Sequence, residues 1–229
     1  MESGMEIVAS RKTALLLGAS GLVGTELLRQ LLDHGAYRRI IAPTRRRLHL
    51  DHGKLDNPIV SFDRLDRFLE LFRCQDVFIA LGTTISKAGS EEAFRRVDYE
   101  YVVHAAELAQ RAGANQVLVV SSAGANSDSR FLYSRTKGEM EEAITKLDFW
   151  SIHIFRPGVL VGKREELRLG EKLAAGLTKA IRSFSPTLLG DYNPTDVDVL
   201  AREMIDAAQT ISPGIHFHGA AQLIRSADE

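Results

Sequence analysis

Cysteine is nearly absent. The 229 residues hold one, Cys74, which excludes an internal disulfide framework and fits a reducing compartment. Long apolar runs are missing as well: no stretch approaches the roughly 20 residues of a membrane span. The opening MESGMEIVASRK lacks the apolar centre of a secretory signal. Together these absences point to a cytoplasmic protein, with residues 1–10 a flexible leader. An excess of either charge is also lacking. Lys and Arg number 29 against 30 Asp and Glu, a net charge of −1, which argues against a chain built mainly to hold nucleic acid. There is no internal repeat, low-complexity tract or interdomain linker, so 11–229 reads as a single domain. What is present is a 45% hydrophobic, 26% charged composition, which calls for a packed core.

That core is laid out in alternation. Ala14 to Leu17 is an apolar run that passes into Gly18-Ala-Ser-Gly21-Leu-Val-Gly24. Leu22, Val23, Leu27, Leu28, Leu31 and Leu32 then recur at helical spacing, with Gly35 placed to end the helix. Strands are expected at Ile40–Thr44, Pro58–Phe62, Val77–Leu81, Val117–Val120 and Ser151–Phe155. Helices are expected at Arg64–Phe72, from Ser90 to about Ala112 with Gly113 as the stop, and at about Leu132–Leu147. Strands apolar on both faces suit a mostly parallel sheet with helices on each side, and right-handed crossovers then give a doubly wound, Rossmann-like α/β fold. After about residue 160 the rhythm breaks. Residues 162–195 read as a short substrate cover carrying the apolar stripe Leu173, Leu177, Ile181 and Phe184. A helix at Asp196–Ala208 and a late strand at Ile215–His218 follow.

Chemistry concentrates at strand ends. In the glycine turn, Gly18 allows the tight bend, Gly21 the close approach of a pyrophosphate, and Gly24 the packing of helix on strand. Free N–H groups at the helix start bind the anion, so Ser20, Leu22 and Val23 join the three glycines as expected cofactor contacts. After the second strand, where an NAD site often places an acid for the ribose hydroxyls, the chain reads Pro43-Thr44-Arg45-Arg46-Arg47. Guanidinium groups suit a 2′-phosphate, so Arg45 and Arg46 point to NADP(H) in preference to NAD(H). A solvated basic loop, nuclear targeting and nucleic-acid contact are the competing readings of this run.

Ser122 closes the fifth strand, Tyr133 follows 11 residues later, and Lys137 lies one helical turn beyond, on the same face. Hydride transfer to a carbonyl requires a proton donor for the developing alkoxide. A phenol whose ordinary pKa is about 10 becomes a base near neutrality only with roughly 4 kcal/mol of preference for phenolate, which a neighbouring ammonium helps to supply. A serine hydroxyl holds the substrate oxygen.

The glycine motif, the Ser122, Tyr133 and Lys137 set and Arg156-Pro157-Gly158 resemble the short-chain dehydrogenase/reductase superfamily. The strings LLLGASGLVG, ALGTTISKAGSEEAFRRVDYEYVVHAAELA, SSAGANSDSRFLYSRTKGEMEEAI and FRPGVLVGKREE are similar to its atypical, NADP(H)-binding, Tat-interacting-protein-like oxidoreductases, over about residues 13–190. The resemblance implies Tyr133 as acid/base and Lys137 as the holder of the nicotinamide ribose that lowers the tyrosine pKa. Ser122 would orient the carbonyl, with Ser121 the alternative one residue earlier. The backbone of Gly82-Thr83-Thr84, with Leu81 before it, would pass beside the cofactor, and Arg156, Pro157, Gly158 and Val159 would line its nicotinamide end. Two departures stand out. Ser61 falls where the relatives carry an aspartate, with Asp63 nearby. The asparagine of the superfamily's proton relay has no clear counterpart, though Asp98 and His104 fall close to its place.

His49-Leu-Asp51-His52 and His216-Phe-His218 offer no third ligand in sequence, so no metal is expected. The resulting expectation is an NADP(H)-dependent oxidoreductase for a carbonyl or alcohol, with a homodimer or a protein partner as further associations. The alternative is a non-catalytic NADP(H)-binding regulator or redox sensor that controls a protein partner.

Overall fold

Leu15 and Leu17 join one hydrophobic cluster and Ala14 and Leu16 another, all inaccessible to solvent, so the strand that holds them is covered on both sides. The computed structural model describes residues 12–162, 193–210 and 212–225. The expected leader and almost all of the expected cover, with its apolar stripe, lie outside the described residues.

Strand β1 (Lys12–Leu17) leads through the glycine turn into α1 (Leu22–Asp33), followed by β2 (Tyr37–Ile41) and β3 (Leu55–Asp56). A tight 3₁₀ segment, Phe62–Phe72, precedes β4 (Asp76–Ile79). Then come α2 (Ile85–Ala88), α3 (Glu91–Arg95), a π turn at Arg96–Glu100, and α4 (Tyr101–Arg111). The chain continues through β5 (Gln116–Val120), α5 (Leu132–Thr145), β6 (Ser151–Arg156) and β7 (Leu160–Val161). It closes with β8 (Thr195–Asp196), α6 (Val197–Gln209), β9 (Gly214–Gly219) and α7 (Ala220–Arg225).

Seven strands pair in parallel in the order β3-β2-β1-β4-β5-β6-β9, the doubly wound arrangement expected from the alternation. On one face α1 and α6 pack through Leu27, Leu31, Leu200 and Met204. On the other the 3₁₀ segment, α4 and α5 pack through Phe72, Val102, Met140 and Ile144. Strand β9 lies on the sheet edge beside β6, as read from the late apolar stretch.

Three elements depart from expectation. The third strand is only Leu55–Asp56, with an isolated bridge between Thr44 and Ile59, in place of Pro58–Phe62. Phe62 and Leu65 instead bury on one face of the 3₁₀ segment, where residues three apart eclipse. Helix α1 ends at Asp33 through an extended His34, not at a left-handed Gly35, whereas Gly113 does stop α4 with φ 86°. The long helix expected over 90–112 is interrupted by the π turn, whose importance emerges at the site.

Two polar networks fix the sheet. At its amino edge, buried Asp76 accepts from the Tyr37 hydroxyl (2.6 Å) and the Gln116 amide (2.7 Å) and pairs with Lys12 (3.1 Å). Under β9 the hydroxyl of Ser151 donates to the Ser212 carbonyl (2.6 Å), so it accepts from His153 Nε2–H at 2.9 Å. The other ring nitrogen of His153 then accepts from His218 Nε2–H at 3.0 Å. Both imidazoles are neutral in this chain. Burial first, and the neighbouring histidines second, push His153 down to about 4, and burial followed by His216 does the same for His218.

Candidate active site

The order β2-β1-β4 makes the gap between β1 and β4 a topological switch point, where the crossovers leave on opposite faces and a crevice opens at the carboxyl ends of the strands. The glycine turn, the loop of Arg45 and Arg46, Leu81 to Thr83, the strand-end serines and Arg156 to Val159 all follow the carboxyl ends of strands, while Tyr133 and Lys137 stand on α5. Gly18 follows β1 with φ 94°, and a Cβ on it would stand 2.4 Å from the Ala80 carbonyl oxygen that follows β4. A Cβ on Gly24 would stand 2.0 Å from the Gly18 oxygen, and the Gly21 N–H donates to that oxygen at 2.8 Å. Gly21 caps α1 with no side-chain bond to the first turn, which also carries no acid. The leading amides of α1 are thus left for an anion. Within this turn Ser20 is exposed, Leu22 half-buried and Val23 buried. A cradle that side chains would fill, under a helix start without a competing carboxylate, fits the pyrophosphate of a dinucleotide.

Across the crevice stands α5. Lys137 and Tyr133 sit one turn apart on it, Lys137 buried and Tyr133 40% exposed. Phe94, buried on α3, packs on the Tyr133 ring with centroids 5.8 Å apart. Arg95 pairs with Glu139 one residue along, and Asp98, in the π turn, meets the Lys137 ammonium at 2.9 Å. The second Asp98 oxygen accepts from the Thr83 N–H at 2.8 Å, fixing the Leu81-Gly82-Thr83 stretch after β4. Gly138 faces the backbone of Asn126 and Ser127 so closely that a Cβ would lie 2.1 Å from the Ser127 nitrogen. With the Asn126 N–H donating to the Ser134 carbonyl (3.0 Å), the loop after β5 is locked to the start of α5.

The serines follow from strand alternation. The Ser121 N–H donates to the Phe155 carbonyl at 2.7 Å, extending the β5–β6 ladder by one residue, and its buried hydroxyl has no hydrogen-bond partner among the described residues. Alternation gives Ser121 the face occupied by α4 and α5. Ser122, the next residue, is half-buried at the start of the loop.

Arg156, to which the resemblance gives a nicotinamide-lining role, closes β6. Its guanidinium forks onto buried Glu141 of α5 and lies 4.6 Å from the centroid of the Phe217 ring. Pro157, Gly158 and Val159 run as a tethered backbone: the Pro157 carbonyl accepts from Ala123 N–H (3.0 Å), while Gly158 N–H and the Val159 carbonyl meet Thr195. Arg45, Arg46 and Arg47 are exposed on the loop after β2. Asn57 anchors that loop, donating to the Ala42 carbonyl (2.6 Å) and to Thr44 Oγ1 (2.8 Å). Asp63, beside the departing Ser61, accepts from the Tyr101 hydroxyl, whose phenol burial and then Asp63 push up to about 12.

His104 lies outside the site, its Nε2 3.2 Å from Asp66 on the 3₁₀ segment. Among the described residues no group of three His, Cys, Asp or Glu is spaced to hold a metal ion. Cys74 is buried, and burial followed by Asp76 pushes its thiol up to about 12.

Residues 14–209 match the model of the NAD dependent epimerase/dehydratase family. The chain belongs to that family. Within it, the protein HTATIP2 of Rattus norvegicus is 40% identical over 167 residues, covering 71% of this chain and 69% of that protein. The mitochondrial protein FMP52 of Candida albicans is 35% identical over 205 residues, covering 86% and 88%. These relatives form the atypical, Tat-interacting-protein-like group of short-chain dehydrogenases/reductases. Among solved structures, MoeE5 in complex with UDP-glucuronic acid and NAD superposes with a TM-score of 0.66 at 18% identity, covering 94% of this chain and 81% of that one, which shows the shared fold. The family and this fold establish an NAD(P)-binding, oxidoreductase-type architecture. One expectation is overturned. Several fungal relatives are named as mitochondrial proteins, which contradicts the cytoplasmic setting read from the sequence. The lack of an apolar run does not bear on a mitochondrial address, because mitochondrial transit segments are amphipathic and arginine-rich instead.

Proposed function

We propose that the protein is an NADP(H)-dependent oxidoreductase that interconverts a carbonyl and its alcohol. The observation that carries this reading is the placement of Tyr133 and Lys137. The tyrosine is accessible on α5, one turn from a buried ammonium that reaches the Gly82 loop after β4, on the same sheet as a glycine cradle suited to a dinucleotide. When bound, the nicotinamide supplies or accepts the hydride. The Tyr133 hydroxyl gives its proton to the carbonyl oxygen during reduction and takes it back during oxidation. Lys137 holds the nicotinamide ribose and offers its positive charge to the tyrosine oxygen as the proton leaves. Ser122 donates a hydrogen bond to the substrate oxygen, with Ser121 the alternative.

The 2′-phosphate of NADP(H) falls to Arg45 and Arg46, which follow β2 in the stretch Pro43 to Arg47, where no acid claims the place of an NAD ribose ligand. A set of ketones and aldehydes offered with NADPH, followed by loss of nicotinamide absorbance, tests the proposal. Turnover of at least one carbonyl that requires Tyr133 is expected. A blank across the set with intact NADPH binding would leave the protein as a cofactor-binding regulator.

A further inference from the structure

Lys137 is the one lysine or arginine that is buried among the described residues. An ammonium withdrawn from water is costly unless a counter-charge accompanies it. That charge comes from Asp98, itself 1% exposed, at 2.9 Å. The placement depends on the π turn. In it the Tyr101 N–H reaches back five residues to the Arg96 carbonyl, so one extra residue fits between α3 and α4. π turns recur at functional sites because that extra residue re-aims its neighbours. Here three contacts bind this stretch to α5: Phe94 on Tyr133, Arg95 on Glu139, Asp98 on Lys137. Above the pair sits Gly82, where a Cβ would stand 3.4 Å from Asp98 Oδ1 and 4.0 Å from Lys137 Nζ.

We propose that Asp98 is the positioning residue of the site: one carboxylate oxygen pins the Lys137 ammonium in its charged form, and the other fixes the Thr83 amide beside it. An ammonium has three donors, and Asp98 takes one, leaving two for a ligand. An aspartate thus stands close to the place of the superfamily's relay asparagine, and it acts through the lysine. Burial pulls Lys137 toward the neutral amine. Asp98 opposes it, aided by Tyr133 and Glu141 on the same helix, and the balance holds the ammonium above its ordinary value. Of the other charges nearby, Arg95 is paired with Glu139 and Arg156 with Glu141, and the Gly82–Thr83 segment carries none.

This inference rests on the reading of Lys137 as a cofactor ligand, and two measurements separate the two claims. The substitution Asp98→Asn keeps the size and an acceptor for Thr83 but removes the charge. NMR titration of the full chain carrying ¹³Cε-lysine, with Lys137 assigned through Lys137→Met, should show Lys137 losing its proton at lower pH in Asp98→Asn than in the wild type. An unchanged titration would overturn the proposal. NADPH titrations by fluorescence from about pH 7 to about pH 10 should then show Asp98→Asn losing about tenfold or more affinity as pH rises, while the wild type holds over most of that range. In the Lys137→Met background Asp98→Asn should add no further loss, whereas an additive loss would reduce Asp98 to a packing role. If the NMR shift occurs but Lys137→Met binds NADPH like the wild type, Asp98 stands as counter-ion and the cofactor role of Lys137 falls.

Discussion

The carbonyl oxygen of Gly18 occupies the place where a side chain on Gly24 would begin, 2.0 Å from the ideal Cβ position. Backbone cannot yield as a flexible side chain does, so α1 would have to move away from β1. Gly24→Ala should therefore lower stability by about 1–3 kcal/mol, as overpacking does, and weaken NADPH binding by disturbing the cradle. Gly35→Ala, where a Cβ meets nothing within 4 Å, is the control and should stay within about 0.5 kcal/mol of the wild type. Thermal melts and calorimetric titrations of the two variants check both halves.

The proposed 2′-phosphate contact of Arg45 and Arg46 predicts a cofactor discrimination. Charge-assisted hydrogen bonds to a phosphate are worth about 1.5–3 kcal/mol each, so Arg45→Ala with Arg46→Ala should weaken NADPH by about a hundredfold or more and leave NADH nearly unchanged. Equal losses for the two cofactors would remove the 2′-phosphate assignment.

The histidine chain under β9 gives a pH signature. Neutral His153 accepts from His218 through one nitrogen, and a proton there would set two donors against each other. Both groups have a folded-state value near 4, below the ordinary 6.5, so the unfolded chain binds more protons between these limits. Their contribution is fully present above about pH 6.5 and is lost as pH falls toward about 4. Melting temperatures at the two ends of that window should drop further for the wild type than for a His153→Phe, His218→Phe double variant. An equal drop would show that these rings are not the titrating groups.

Much of this was legible in the sequence because it is local. The glycine turn, the strand-end serines and the i, i+4 pair of Tyr133 and Lys137 each follow from the spacing within one element. Asp98 was visible only as a neighbour of the missing asparagine, since its aim depends on a π turn that no hydrophobic period announces. The third strand was misplaced because Phe62 contributes to apolar spacing in either setting, and the tight helical face with Leu65 is settled by packing. For Arg156 the resemblance implies only a place near the nicotinamide. The preference of a guanidinium for Glu141, 15 residues earlier on a packed helix, is a tertiary fact. The cytoplasmic setting rests on what the sequence lacks, and such absences do not choose a compartment.

The proton-donor role of Tyr133 is the centre of the account, and a single substitution addresses it. Tyr133→Phe retains the ring that packs on Phe94 and removes only the hydroxyl. Turnover of a reducible carbonyl with NADPH should fall by about 10²–10⁴-fold while the NADPH dissociation constant stays at its wild-type value. Retained turnover at unchanged cofactor affinity would contradict the account.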